Sequence, residues 1–164
     1  MTRAERIVVA GGAGYIGSHV CVDLLSAGKS ILVIDDFSNS SPEALARFKE
    51  IAGGGETGFL RADLADAAHA GRIVDAVRAF RPDGAVHLAG LKAVAESVAD
   101  PMRYYRVNLG AALTLVTALD AANARRIVFS SSATVYGELN ANPVKENGRL
   151  GPTNPYGRTK FFVE

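Results

Sequence analysis

Ile7-Val8-Val9-Ala10-Gly11-Gly12-Ala13-Gly14-Tyr15-Ile16-Gly17-Ser18-His19 runs an apolar strand straight into a glycine-dense turn and then into an amphipathic helix. Glycine takes backbone angles that a Cβ forbids, and without a side chain it lets the main chain approach a ligand closely. The free N–H groups and partial positive charge at the start of the helix then face whatever lies on the turn, which suits phosphate. Read as Gly12-x-Gly14-x-x-Gly17, the stretch fits the dinucleotide-binding fingerprint. Read from Gly11, it is equally a Gly-x-x-Gly-x-x-Gly.

Alone, such a triplet is also what a tight strand-to-helix turn in any α/β protein looks like. The next strand separates the two readings. Ser30-Ile31-Leu32-Val33-Ile34-Asp35 ends on a carboxylate 18 residues after Gly17, about where the acid that accepts both hydroxyls of an adenosine ribose is expected. Asp35, with Asp36 behind it, would repel the additional phosphate of NADP, so NAD is favoured. Asp36 by itself reads as a solvated loop charge.

The 164 residues, 48% of them hydrophobic, suffice for one domain with a substantial core, residues 1–164, and not for two. Eighteen basic against 17 acidic residues give a net charge of +1 without a basic, aromatic-rich stripe, so nothing points to nucleic acid. The lone Cys21 falls in the predicted first helix and reads as small apolar filler, which suits a reducing cytoplasm. Four apolar residues before the glycines are too few for a signal peptide or membrane span. His19, His69 and His87 lack ligand spacing, so no metal site is expected.

Short apolar runs alternate with segments of helical period, which predicts an α/β fold: a doubly wound parallel sheet with crossover helices on both faces, a Rossmann fold. The predicted strands are Ile7–Ala10, Ser30–Asp35, Thr57–Ala62, Gly84–Ala89 and Arg126–Ser130. Their near-continuous apolar character suggests strands covered on both faces. The predicted helices are Tyr15–Ala27, stopped by Gly28; Pro42–Ala52, capped by Ser41 and ended by Gly53-Gly54-Gly55; Ala67–Phe80, ended before Arg81-Pro82; and Pro101–Ala122. Ser131–Asn154 lacks periodicity and reads as a long functional or disordered loop. A last helix opens at Asn154-Pro155, a cap followed by proline at the first helical position. The chain stops within it on apolar residues, which reads as a truncation that leaves Phe161, Phe162 and Val163 exposed.

Tyr156 and Lys160 are four apart at the start of that helix, so they share a face. A cation beside a phenol favours the phenolate, which could take a proton from a substrate hydroxyl near neutral pH. The pair also fits a half-buried tyrosine beside a snorkelling surface lysine. The fifth strand, Val128-Phe129-Ser130-Ser131-Ser132-Ala133-Thr134-Val135-Tyr136-Gly137, puts hydroxyls at its carboxyl end, where open α/β sheets bind ligands. Ser132 or Thr134 could bond a substrate oxygen and pass its proton to Tyr156, or these hydroxyls could simply bond locally. Leu88-Ala89-Gly90-Leu91-Lys92 after the fourth strand offers a close backbone approach and a cation, although Lys92 reads equally well as a solvated loop lysine.

Together with Asp35-Asp36-Phe37-Ser38-Asn39-Ser40, His87-Leu88-Ala89-Gly90-Leu91-Lys92-Ala93-Val94-Ala95-Glu96-Ser97-Val98 and Pro155-Tyr156-Gly157-Arg158-Thr159-Lys160, these stretches resemble the amino-terminal half of the extended short-chain dehydrogenases/reductases, in particular their UDP-glucose 4-epimerase branch. The resemblance spans nearly the whole chain. It implies that Asp35 holds the adenosine ribose, that Gly11, Gly14, Tyr15, Ile16 and Gly17 form the pyrophosphate turn, and that Asn39 and Ser40 follow on the adenosine side. Asp63 and Leu64 would flank the adenine, with Leu88, Ala89, Gly90 and Lys92 along NAD and Asn108 nearby. Catalysis falls to Ser132, Tyr156 and Lys160, with Lys92, Ser132, Thr134 and Tyr156 toward a UDP-sugar. Lys160 also bonds the nicotinamide ribose in that family. The implied reaction interconverts UDP-galactose and UDP-glucose by reversible hydride transfer to tightly bound NAD through a 4-keto sugar. Relatives carry a further carboxy-terminal region that grips the sugar nucleotide, absent from this chain. By itself the chain is therefore expected to bind NAD weakly with little or no turnover. Relatives also pair through helices such as Pro101–Ala122, so a homodimer is compatible.

Other readings stay open. Dehydratases of the same superfamily place an Asp-Glu pair after the threonine, whereas Val135 follows Thr134 here. A 4-epimerase of another UDP-sugar, or a nonenzymatic NAD-binding module on the same fold, also fits.

Overall fold

The computed structural model describes residues 4–138, 140 and 142–164. The readings of Met1-Thr2-Arg3, and of Leu139 and Ala141 within the long loop, lie outside them. Five strands, β1 (Arg6–Ala10), β2 (Ser30–Asp35), β3 (Thr57–Arg61), β4 (Gly84–His87) and β5 (Ile127–Phe129), form one parallel sheet in the order β3-β2-β1-β4-β5. Among the described residues six helices surround it: α1 (Tyr15–Ser26), α2 (Glu43–Ile51), α3 (Ala67–Phe80), α4 (Val94–Ala99), α5 (Pro101–Ala121) and α6 (Pro155–Val163).

The two central strands explain the double layering. Successive side chains of a strand point to opposite faces. Val8, Leu32 and Ile34 join Ile73 and Val77 of α3 and Leu115 and Leu119 of α5 in one core. Val9, Ile31 and Val33 join Cys21 and Leu25 of α1 and Phe48 of α2 in the other. Fully burying each such side chain stabilises the fold by about 1.5–3 kcal/mol. After β3 the chain crosses back to the far side of β1, so strand order reverses between β1 and β4. That reversal opens a crevice at the strands' carboxyl ends.

The expectation of strands covered on both faces holds for β1 and β2 and fails at the edges: Ile127 and Val128 of β5 are 42% and 66% exposed, and Phe59 of β3 is 39% exposed. β4 ends at His87 rather than Ala89, because the N–H groups of both Leu88 and Ala89 turn onto the carbonyl of Ala10 (2.9 and 3.0 Å). β3 stops one residue earlier than predicted, and β5 loses a residue at each end. α2 starts at Glu43, yet Ser41 still serves its amino terminus: its Oγ accepts the Glu43 N–H at 3.3 Å. α4 and a single 3-10 turn at Ala133–Val135, inside the predicted loop, are elements the hydrophobic period did not reveal. Among the described residues no helix is long and apolar enough to cross a membrane.

Candidate functional site

A groove of about 810 Å³ runs along the carboxyl ends of the strands. The turn after β1 forms its floor. Gly11 has φ +79°, and a Cβ there would lie 2.6 Å from the Ala89 N, so only glycine lets the turn pass the end of β4. At Gly17 a Cβ would lie 2.1 Å from the Gly11 carbonyl, so glycine is what brings α1 down onto the turn. Gly14 differs: a Cβ there would meet nothing nearer than 3.5 Å and would stand at the groove wall. Gly14 is also the N-cap of α1 and brings no side-chain cap. The first N–H groups of a helix have no carbonyl within it to bond, so the turn presents donors suited to an anion.

At one end of the groove Asp35 is 9% exposed. Its Oδ2 accepts the Ala13 N–H (3.0 Å), tying β2 to the glycine turn, and its Oδ1 accepts the Phe37 N–H (3.0 Å) and the Ser40 hydroxyl (2.8 Å). A carboxylate has roughly four acceptor positions, so three are engaged; accepting both hydroxyls of a ribose requires the Ser40 hydroxyl to turn away. Asp36 takes the Ser38 N–H (2.8 Å), a loop role as expected, while also lining the groove. Asp63 and Leu64 line the wall beside Asn39 and Ser40.

At the other end stands the first turn of α6. As predicted, the Asn154 side chain caps it by accepting the Gly157 N–H (2.8 Å), with Pro155 in the first turn. Tyr156 and Lys160 both line the groove. The lysine ammonium is committed elsewhere than expected, however. Its Nζ donates to the Ser130 carbonyl (2.9 Å) and sits 4.8 Å from the centre of the Phe129 ring and 5.9 Å from that of Tyr156. Burial pulls its pKa down to about 8. Beneath it His87 is 1% exposed, with its Nδ1 unpartnered among the described residues; burial first, and the Lys160 charge second, lower its pKa to about 4.

Of the residues singled out in the sequence, Gly11, Gly14, Tyr15, Ile16, Gly17, Asp35, Asn39, Ser40, Asp63, Leu64, Leu88, Ala89, Gly90, Lys92, Tyr156 and Lys160 all line this one groove. Three lie behind its wall. Thr134 donates its hydroxyl (2.9 Å) and its N–H (3.2 Å) to the Ser132 Oγ, so these two hydroxyls bond each other, while Ser130 and Ser131 reach the wall. Asn108, 5% exposed, accepts the Leu91 N–H (2.8 Å), and its Nδ2 donates to the Leu91 carbonyl (3.0 Å) and the Thr159 Oγ1 (2.9 Å). Asn108 thus holds α6 against the Gly90-Leu91 turn. Glu96 and Arg103 also line the wall, although nothing in their spacing marked them out.

Donors at the glycine turn, a carboxylate at the end of β2 and a groove joining them to a tyrosine form a set suited to a dinucleotide. The chain matches the NAD dependent epimerase/dehydratase family over residues 7–164. It is 52% identical over 159 residues to the UDP-glucose 4-epimerase of Bacillus subtilis, covering 96% of this chain and 45% of that protein, and 43% identical over 159 residues to that of Yersinia enterocolitica, covering 96% and 46%. Among solved structures it resembles the UDP-glucose 4-epimerase of Bifidobacterium longum crystallised with NAD+ and UDP, with a TM-score of 0.90, 39% identity, and 96% of this chain and 46% of that one covered. The Stenotrophomonas maltophila enzyme, crystallised with NAD and formylated UDP-arabinopyranose, gives a TM-score of 0.89 at 37% identity, covering 97% and 46%. The chain thus spans slightly less than half the length of the relatives it matches, and with its glycine turn, β2 carboxylate and Tyr156-Lys160 pair in one groove it belongs to the NAD dependent epimerase/dehydratase family.

Proposed function

We propose that this segment is the NAD-binding half of a UDP-glucose 4-epimerase, and that its groove is where the sugar is oxidised and reduced again. The observation that carries the reading is that Tyr156 and Lys160 open onto the same groove as the glycine turn and Asp35. The donors at the start of α1 take the pyrophosphate, and Asp35 takes the adenosine ribose. NAD, when bound, would supply reversible hydride chemistry with no net redox change, so it need not leave between cycles.

The protein's own residues move the proton. Tyr156 as phenolate removes the proton of the sugar's 4-hydroxyl while the 4-hydrogen leaves as hydride. A 4-keto sugar results; it turns over, and Tyr156 gives the proton back to the alkoxide formed on the other face. Lys160 supplies positive charge beside the Tyr156 ring and would also help hold the nicotinamide ribose. Ser132 and Thr134, set just behind the wall, would steady the sugar's oxygen once their mutual hydrogen bond is exchanged for it, and Lys92 lines the groove itself. A reducing cytoplasm suits the single buried thiol, Cys21. Pairing of two copies through α5 is supported by Met102, Leu113 and Val116, each more than half exposed on that helix.

Placed on a polypeptide of the relatives' full length, Tyr156→Phe removes the proton carrier and leaves the groove's shape. Turnover of UDP-galactose should fall by about 10²–10⁴-fold, the usual contribution of a positioned acid or base, with NAD still bound. Turnover near that of the unsubstituted protein would overturn the assignment.

A further inference from the structure

Tyr104, in the first turns of α5, is completely buried. Its ring meets that of Tyr156 edge-on, with centres 6.5 Å apart and planes at 84°. Its hydroxyl makes two hydrogen bonds: it accepts the Ala93 N–H at 3.0 Å and donates to Glu96 Oε2 at 2.7 Å. Glu96 is held in turn by an ion pair with Arg103. One phenol therefore joins three pieces of backbone: the residue that follows Lys92, helix α4 and helix α5. Through its ring contact it also reaches the first turn of α6. Lys92, Glu96, Arg103 and Tyr156 all face the groove.

Any buried phenol must pair its hydroxyl, so what matters at Tyr104 is which groups it pairs with. The hydroxyl is saturated, and its partners belong to the wall that carries Tyr156. Edge-on aromatic pairs prefer a defined mutual orientation, so fixing one ring fixes the other. We propose that Tyr104 and Glu96 are a positioning pair that sets the orientation of the Tyr156 ring in the groove. The inference rests on Tyr156 being the proton carrier proposed above.

The pair acts on geometry and not on NAD affinity. Small displacements of a reacting group cost rate steeply. In a polypeptide of the relatives' full length, Tyr104→Phe keeps the ring and removes only the two hydrogen bonds. It should lower kcat by about tenfold, with the KM for UDP-galactose unchanged within about twofold. Glu96→Ala, which takes away the acceptor of the buried phenol, should do the same, and Glu96→Gln, which retains an acceptor for the hydroxyl, should recover most of the loss. The Tyr156 ring, followed by 19F NMR of a fluorotyrosine, should shift or broaden in Tyr104→Phe and Glu96→Ala and return in Glu96→Gln. In a Tyr156→Phe background, Tyr104→Phe should cost no further rate.

Unchanged kcat and an unchanged Tyr156 signal in Tyr104→Phe and Glu96→Ala would overturn the pair, as would a loss that persists at full size in the Tyr156→Phe background. If Tyr104→Phe does not fold, the two Glu96 variants decide alone. A Tyr156→Phe single variant with ordinary turnover would instead sink the reading of Tyr156 itself, a result distinct from failure of the pair.

Discussion

His87 and Lys160 occupy one buried spot at the end of β4, and burial disfavours charge on both. For His87, held to about 4 against an ordinary value of 6.5, the window runs between those two pH values. Across it the unfolded chain binds a proton that the folded chain refuses, so stability is lost as pH falls, up to about 3 kcal/mol by pH 4 and no more below. At Lys160 the unfolded chain binds the extra proton between pH 8 and 10.5, so stability rises with pH through that range. His87→Phe keeps the ring beside Phe129, 5.5 Å away between centres, and removes the titration. Urea unfolding at pH 7, 6, 5 and 4.5 should show a shallower fall in stability for His87→Phe than for the parent. Equal slopes would place the proton uptake elsewhere.

At the scale of elements, the glycine turn separates two roles that one substitution type can test. Gly17→Ala sets a Cβ 2.1 Å from the backbone oxygen of Gly11, which can yield only if α1 lifts from the turn. It should cost several kcal/mol or leave the chain insoluble, as forced overpacking does. Gly14→Ala has room and an ordinary φ of −70°, so stability should change by about 1 kcal/mol or less. If the pyrophosphate lies on this turn as proposed, the methyl stands in its way and NAD affinity by calorimetry should fall at least about tenfold, the equivalent of roughly 1.4 kcal/mol. Unaltered affinity in Gly14→Ala would remove the ligand from that turn. The turn itself was legible in the sequence because glycine spacing and the apolar run before it are local signals. The same holds for the end of β2 at Asp35 and for the Asn154-Pro155 start of α6. α4 was not legible: six residues between Ala93 and Asp100 are too short to show a period. Tyr104 and Asn108 were opaque as determinants of α6 for another reason. Their partners, Glu96 with Ala93 and Leu91 with Thr159, are assembled only when α4, α5 and α6 pack together. The commitment of Lys160 to the Ser130 carbonyl rather than to the phenol is likewise a tertiary fact, because helical spacing says which side chains share a face and not what else that face touches.

For the whole molecule, the reversal of strand order between β1 and β4 places the carboxyl ends of all five strands on one groove, so a ligand laid along it would meet the glycine turn, β2, the turn after β4 and α6 at once. Such a ligand binds the folded chain and has no counterpart in the unfolded one, and must stabilise it by mass action. At a hundred times its dissociation constant NAD should contribute about 2.7 kcal/mol, which for a domain of this size raises Tm by about 5–10 °C. NADP should not do the same. Its additional phosphate would come to rest against Asp35, whose oxygens already hold three donors, with Asp36 beside it on the wall. Two like charges about 4 Å apart at a protein surface repel by about 4 kcal/mol, close to a thousandfold in affinity. At the concentration that saturates with NAD, NADP should therefore move Tm by less than about 2 °C. In Asp35→Asn both effects should shrink, the NAD shift because the ribose loses a charged acceptor and the discrimination because half the repulsion is gone. Equal shifts from NAD and NADP in the unsubstituted chain would mean that the end of β2 does not face the ribose, and the direction assigned to the cofactor along the groove would have to be reversed.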